Sequence, residues 1–259
     1  MRDSVDSYLT LAEDLANAAS QIIRRHFRTP VPVDDKADLS PVTIADRDAE
    51  SAMRAIIESA FPDHGIVGEE FGVTRGGASH LWVLDPIDGT KSFVTGRPLF
   101  GSLIALCRDG RPIVGVIDCP AIGERWTAAA GRPTLHQGRE AHTRPCPDLA
   151  KAWLYCTSPH MFEGADFERF DRVRRAVKFP LYGGDCYAYG LVASGFADLV
   201  IEAGLSAYDW AALVPVLQGA GGRCTDWRGN PLDLATPKSR IIAAGDSRVH
   251  RAGVDILSS

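Results

Sequence analysis

The 259-residue sequence has no apolar run of about 20 residues, the length a helix needs to cross a bilayer. Charges in Met1-Arg2-Asp3-Ser4-Val5-Asp6 interrupt any apolar segment at the N-terminus, so neither an export signal nor a membrane partner is expected. Basic excess is also lacking: 28 Lys and Arg face 33 Asp and Glu, for a net charge of −5 and a pI near 5.8. That balance offers no general attraction to nucleic acid, so an anionic ligand would have to be drawn in locally, through cations. Six cysteines occur without a C-x-x-C pair, and their scatter fits neither a zinc framework nor a disulfide scaffold. Buried free thiols in a reducing cytoplasm are expected. Repeats and low-complexity tracts are absent. What remains is an ordinary globular composition, 45% hydrophobic and 24% charged. It fits one domain over 1–259, with approximate subdomains 1–148 and 149–259 and no clean linker between them.

Apolar residues at three- and four-residue steps (Val5, Tyr8, Leu11, Leu15, Ala18, Ile22) predict an amphipathic helix over 4–27. Pro30 and Pro32 end it and lead into a polar loop around 34–41. A second helix is expected over 43–60. A short strand at Ile66-Val67 leads to Gly68-Glu69-Glu70, and a longer one ends at Asp85. Residues 100–107 and 112–119 read as a hairpin around Arg108-Asp109-Gly110-Arg111, and 124–130 continues that sheet. Beyond 150, strands near 152–157, 199–202, 223–226 and 241–244 alternate with helices near 163–176, 186–195, 208–219 and 247–257. Meandering strands followed by alternation predict a mixed α/β layered fold.

The chemistry concentrates in Trp82-Val83-Leu84-Asp85-Pro86-Ile87-Asp88-Gly89-Thr90. An apolar strand ends in two carboxylates three residues apart, with proline stiffening the turn between them. Two carboxylates held close repel unless a cation lies between them, and Mg²⁺ takes such oxygen ligands while keeping positions for water and phosphate. Gly89 and Thr90 then offer backbone N–H groups to phosphate oxygens. Glu69 and Glu70 also end a strand. If the two strands pair, Glu69 can join Asp85 on one ion. Asp209, in Tyr208-Asp209-Trp210-Ala211-Ala212, is a third carboxylate at an element end. It also suits a helix N-cap, and one carboxylate can serve both purposes.

Together, Asp85-Pro86-Ile87-Asp88-Gly89-Thr90, the upstream Gly68-Glu69-Glu70 and Tyr208-Asp209-Trp210-Ala211-Ala212 before Gly219-Ala220-Gly221-Gly222 resemble the signatures of the inositol monophosphatase superfamily. The resemblance implies a layered αβαβα sandwich, a homodimer and a phosphomonoesterase using two or three Mg²⁺ ions. It assigns metal contacts to Glu69, Asp85, the Ile87 carbonyl, Asp88 and Asp209. Phosphate contacts fall to Gly89 and Thr90, and orientation of an attacking water to Glu69 and Thr90. Thr43 and Asp46 match the helix start that closes over the metals in relatives, with Lys36 and Asp38 on a mobile loop beside it. The implied reaction is in-line attack by water without a phosphoenzyme.

Two departures from the inositol phosphatase pattern bear on the substrate. Lys91-Ser92-Phe93 stands where those enzymes have a residue followed by Asn-Phe. Asp185, in Tyr182-Gly183-Gly184-Asp185-Cys186, stands where they carry small uncharged residues, with Glu202 further on. Both features resemble the histidinol-phosphate phosphatases of the superfamily. Asp88, Asp185, Glu202 and Asp209 are therefore expected to contact a small phosphomonoester, with a pocket carboxylate meeting the substrate's ammonium group. A helix N-cap is the alternative for Asp185. Inositol 1-phosphate or a broader ester range is the rival activity, and a non-catalytic ligand sensor the rival from another class. The histidines read as surface residues and the five tryptophans as core.

Overall fold

The computed structural model describes residues 4–30, 32–35 and 41–259. Lys36 and Asp38 lie outside the described residues. Helix α1 (Val5–His26) begins at a capping box in which the Ser4 and Ser7 side chains each take the other's backbone N–H. A short ladder of β1 (Val33–Asp35) and β2 (Pro41–Thr43) follows, where the sequence reading places only a polar loop. Helix α2 (Ile44–Ala60) starts from the same kind of box, built by Thr43 and Asp46.

The largest sheet has eight strands: β3 (Gly65–Gly68), β4 (Gly72–Thr74), β5 (His80–Asp88), β6 (Gly101–Arg108), β7 (Arg111–Cys119), β8 (Glu124–Ala129), β9 (Leu135–His136) and β10 (Arg139–Glu140). Their spatial order is β10-β9-β8-β7-β6-β5-β3-β4. Helix α3 (Thr90–Val94) is a single turn following β5. The β6–β7 hairpin turns on Asp109 and Gly110 alone, both with positive φ (50° and 77°), the mirror-image turn that suits strand twist.

The second half adds β11 (Trp153–Cys156), α4 (Gly164–Ala176), β12 (Phe179–Tyr182), α5 (Asp185–Ala193), β13 (Leu199–Leu205), α6 (Ala207–Trp210), α7 (Leu213–Gly219), β14 (Arg223–Asp226), β15 (Ser239–Ala244) and α8 (Ser247–Leu257). Its five strands form a second sheet in the order β12-β11-β13-β15-β14.

Alternation along the strands decides the layering. In β5, Trp82 and Leu84 pack with α1 and α2, while Val83 faces a different core shared with Cys186, Tyr189, Trp210, Leu213 and Val216 of α5–α7. The second sheet divides in the same way. Val200, Ile241 and Ala243 join the α5–α7 core, whereas Leu199, Ile201, Ile242 and Ala244 pack against Phe170 of α4 and Val249 and Leu257 of α8. The result is helix, sheet, helix, sheet, helix, as expected, with α5–α7 covered on both faces.

Several local expectations change. The helix expected over 208–219 is split into α6 and α7, which lets α6 end at the site while α7 runs through the core. Strands β4 and β12 and the turn α3 fall where no element is expected. His64 and His250 are buried rather than superficial. His64 stacks on Phe61 at 4.5 Å and accepts the Trp82 indole N–H at Nδ1, at 3.1 Å. Trp82, Trp126, Trp210 and Trp227 are core; Trp153 is only half-buried.

Candidate active site

Strands β3 and β5 run parallel, with Gly68 opposite Leu84, and the Glu69 N–H continues the ladder to the Leu84 carbonyl at 3.2 Å. Strand ends so paired bring Glu69 beside Asp85. The β5–β6 ladder shifts register between Asp85 and Asp88, where Pro86 can donate no ladder hydrogen bond. Ser102 Oγ holds the Pro86 carbonyl at 2.7 Å. The bulge turns the two aspartates toward one space, because Asp85, Asp88 and Asp209 each bring a carboxylate oxygen within 4.8 Å of the others.

Asp209 arrives from α6, which packs against β5. It occupies the third position of α6 and accepts the Ser206 N–H at 2.6 Å, with Ser206 itself as the N-cap. The N-cap alternative for Asp209 is thereby replaced by a capping-box role that occupies one oxygen. Lys238 Nζ reaches Ser206 Oγ at 2.9 Å and stands close enough to favour the ionised form of Asp209.

Electrostatically this is a site of crowded negative charge. Burial, followed by the charges of Glu69, Asp88 and Asp209, pushes Asp85 well above the ordinary carboxylate range. Burial and then Asp185, Asp209 and Glu202 do the same to Asp88. Burial raises Asp209 to about 7. Asp85 Oδ1 is buried with no hydrogen-bond partner, a costly arrangement unless a cation meets it. An orphaned buried oxygen amid convergent carboxylates fits a hard divalent ion.

Asp46 closes another side. It accepts the Thr43 N–H at 2.8 Å and the Thr43 hydroxyl at 2.6 Å, and burial, with a lesser effect from the Glu69 charge, raises its pKa. Gly89 has φ of 86° and precedes α3. Thr90 Oγ1 donates to the Ile87 carbonyl at 3.1 Å, so that carbonyl already accepts one bond while the Ile87 side chain is buried.

Asp185 is the first residue of α5, and Gly184 holds the N-cap position given to it as the alternative. Its carboxylate is 9% exposed, accepts Ser92 Oγ–H at 2.7 Å, and lies against Gly89, where an added Cβ would fall 2.9 Å from Asp185 Cγ. Glu202, expected to contact the substrate, lies near enough for its charge to act on Asp88 and Asp209. It is 4% exposed, and its two oxygens accept the Thr157 N–H at 2.9 Å and the Tyr189 hydroxyl at 2.8 Å. These bonds tie β13 to α5 and to the residue that follows β11.

Residues not singled out in the sequence also shape the site. Glu50, fully buried on α2, accepts the N–H groups of Glu70 (2.7 Å) and Phe71 (3.2 Å) and the Arg54 Nε–H (2.7 Å). It thereby fixes the turn carrying Glu69. Its signal in the sequence is a charge within the apolar stripe Ala49, Met53, Ile57. Tyr189, which donates its hydroxyl to Glu202, carries no comparable signal.

Known proteins share this fold. The chain matches the inositol monophosphatase family over residues 4–258. It is 49% identical to the chloroplastic bifunctional phosphatase IMPL2 of Arabidopsis thaliana, covering 98% of this chain and 75% of that protein. A histidinol-phosphatase of Mycobacterium tuberculosis is 39% identical, with 93% of this chain and 94% of that one covered. Among solved structures, an inositol monophosphatase from Zymomonas mobilis is 47% identical and superposes with a TM-score of 0.91 over 100% of both chains. Enzymes of this family are metal-dependent phosphatases, and the acidic cluster described above is built from donors suited to a metal. Profile, fold and convergent carboxylates agree: the chain belongs to the inositol monophosphatase family.

Proposed function

We propose that the chain is a Mg²⁺-dependent phosphatase that hydrolyses L-histidinol phosphate to L-histidinol and inorganic phosphate. The observation that carries the substrate assignment is the Asp185 carboxylate, held beside Gly89 next to the acidic cluster. An ammonium group buried against such a carboxylate contributes roughly 2–5 kcal/mol when one partner is removed. A neutral polyol would offer that carboxylate only hydroxyl hydrogen bonds. The similarity to histidinol-phosphatases supports the same reading.

Glu69, Asp85, Asp88 and Asp209 would hold the ions, with the Ile87 carbonyl as a further oxygen donor. Bound there, Mg²⁺ lowers the pKa of a coordinated water and offsets charge on the phosphate. The protein's own groups do the positioning. Glu69 and Thr90 would orient the attacking water, and the Glu69 carboxylate would take its proton. Gly89 and Thr90 present N–H groups to the phosphoryl oxygens. Thr43 and Asp46 keep the start of α2 over the cleft through their mutual hydrogen bonds. Asp185 binds the ammonium group, and Glu202, held by Tyr189 and Thr157, lines the same pocket. One P–O bond forms to water, the ester P–O bond breaks, and the departing alkoxide takes up one proton, balanced by the one the attacking water gives to Glu69.

A second reading has its own support: the 47% identity to an inositol monophosphatase over both full chains favours inositol 1-phosphate. Phosphate release from L-histidinol phosphate, inositol 1-phosphate and fructose 1,6-bisphosphate under Mg²⁺ separates the two. Faster turnover of L-histidinol phosphate is expected, and a clear preference for inositol 1-phosphate would overturn the assignment. The proposal includes a homodimer in the cytoplasm. Six buried free cysteines suit a reducing compartment, and no helix among the described residues is long and apolar enough to cross a membrane.

A further inference from the structure

The two departures from the inositol phosphatase pattern are 93 residues apart in sequence and touch in space. Ser92, 4% exposed on α3, donates its hydroxyl to Asp185 Oδ2 at 2.7 Å. One further side of the carboxylate is closed, and the backbone that carries it is fixed. Gly89 lies beneath it with no room for a Cβ. Asp185 itself has φ of 43°, a left-handed conformation that aspartate tolerates better than most residues but that still stores strain. Gly183, two residues earlier and at φ of 77°, has its carbonyl held by Arg97 Nη2 at 2.8 Å. The next residue, Cys186, gives its N–H to Asp88 Oδ2 at 2.6 Å, so the carboxylate stands one residue from the acidic cluster. A side chain held in a strained conformation by packing and a buried hydroxyl is characteristic of a preorganised binding group.

We propose that Ser92 and Asp185 form one specificity unit, in which Ser92 is a positioning residue that fixes the Asp185 carboxylate for the cationic part of the leaving alcohol. The inference rests on the L-histidinol phosphate reading. The space decides why the two residues must change together. With donor and acceptor already at 2.7 Å, the extra atoms of an asparagine at position 92 have no place while a carboxylate fills position 185. A small residue at position 185 vacates the volume that such an asparagine needs.

The test is steady-state kinetics of Ser92→Ala, Ser92→Thr, Ser92→Asn, Asp185→Ala and the double variant S92N/D185A, on L-histidinol phosphate and inositol 1-phosphate with Mg²⁺. Thermal melting of each variant checks folding. Ser92→Ala is expected to raise KM for L-histidinol phosphate about tenfold, as for loss of one hydrogen bond to a charged group. Its KM for inositol 1-phosphate should shift less than about threefold, and Ser92→Thr should restore most of the loss. The double variant should turn over inositol 1-phosphate at least about fivefold better than the product of the single-variant effects predicts, since contacting residues couple. Equal KM increases on both esters for Ser92→Ala, or independent single effects in the double variant, would overturn the unit. If the wild type prefers L-histidinol phosphate and the variants still behave independently, the unit alone fails. A wild type that ignores L-histidinol phosphate removes the substrate reading and the cation-binding role of the pair with it.

Discussion

Cys186 donates its backbone N–H to Asp88 Oδ2 at 2.6 Å, joining residues 98 positions apart. The bond fastens the N-terminus of α5, which carries Asp185, to the end of β5, which carries the acidic cluster. The positive end of a helix favours the ionised carboxylate. Candidate metal ligation and candidate substrate selection thus share one hydrogen bond, and a disturbance at either end reaches both.

Gly89 lies at that junction, so Gly89→Ala tests it. A Cβ there would fall 2.9 Å from both Cγ and Oδ2 of Asp185, at a φ of 86° that alanine resists. The expected cost is about 1–3 kcal/mol of stability, read by urea denaturation, together with a loss of phosphatase activity on every ester. Wild-type stability and turnover would show that the junction yields without consequence.

Glu50 supports a stronger stability prediction. Glu50→Ala removes a fully buried acceptor shared by Arg54, Glu70 and Phe71. Leaving the Arg54 guanidinium without its carboxylate should cost about 3–5 kcal/mol. The turn bearing Glu69 should loosen as well, weakening Mg²⁺ binding measured by calorimetry. A change below about 1 kcal/mol, with Mg²⁺ affinity intact, would assign Glu50 no anchoring role.

Stability of the cation-free protein should depend on pH in the sense opposite to an ion-paired carboxylate. Burial raises Asp85 and Asp88 well above the ordinary range and Asp209 to about 7. The folded state therefore binds protons more tightly than the unfolded chain. Its contribution is complete below the unfolded value, about 4, and is lost as pH rises through the raised values. In chelator, the melting temperature should fall between pH 6 and 8. Saturating Mg²⁺ should flatten that fall, because the ion favours the ionised cluster. Identical pH profiles with and without Mg²⁺ would contradict the assignment of the cluster.

What could be read from the sequence follows the reach of each signal. Helices α1, α2 and α8 and strands β6 and β7 have strong periodicity and clear turns, and they fall within a residue or two of expectation. The meeting of Glu69 with Asp85 follows from two parallel strand ends. The meeting of Ser92 with Asp185 does not, because it depends on how α5 docks on the large sheet, which neither segment encodes alone. Glu202 shows the same limit. A carboxylate on a strand leading to the site reads as a ligand contact, but its bonds to Tyr189 and Thr157 depend on tertiary packing that the strand alone does not encode. The break between α6 and α7 escapes periodicity because Trp210, Ala211, Ala212 and Leu213 are all buried and form no stripe.

The central claim is that Asp85, Asp88, Asp209 and Glu69 hold Mg²⁺ and that hydrolysis depends on it. The most direct measurement is the initial rate of phosphate release from L-histidinol phosphate as Mg²⁺ is titrated into chelator-stripped protein, for the wild type and for Asp85→Asn. The account predicts negligible release without the ion, saturable recovery in the wild type, and a rate reduced at least about a hundredfold in the variant, the equivalent of about 2.7 kcal/mol in the barrier. Release that persists undiminished in chelator, or an Asp85→Asn protein as fast as the wild type, would contradict it.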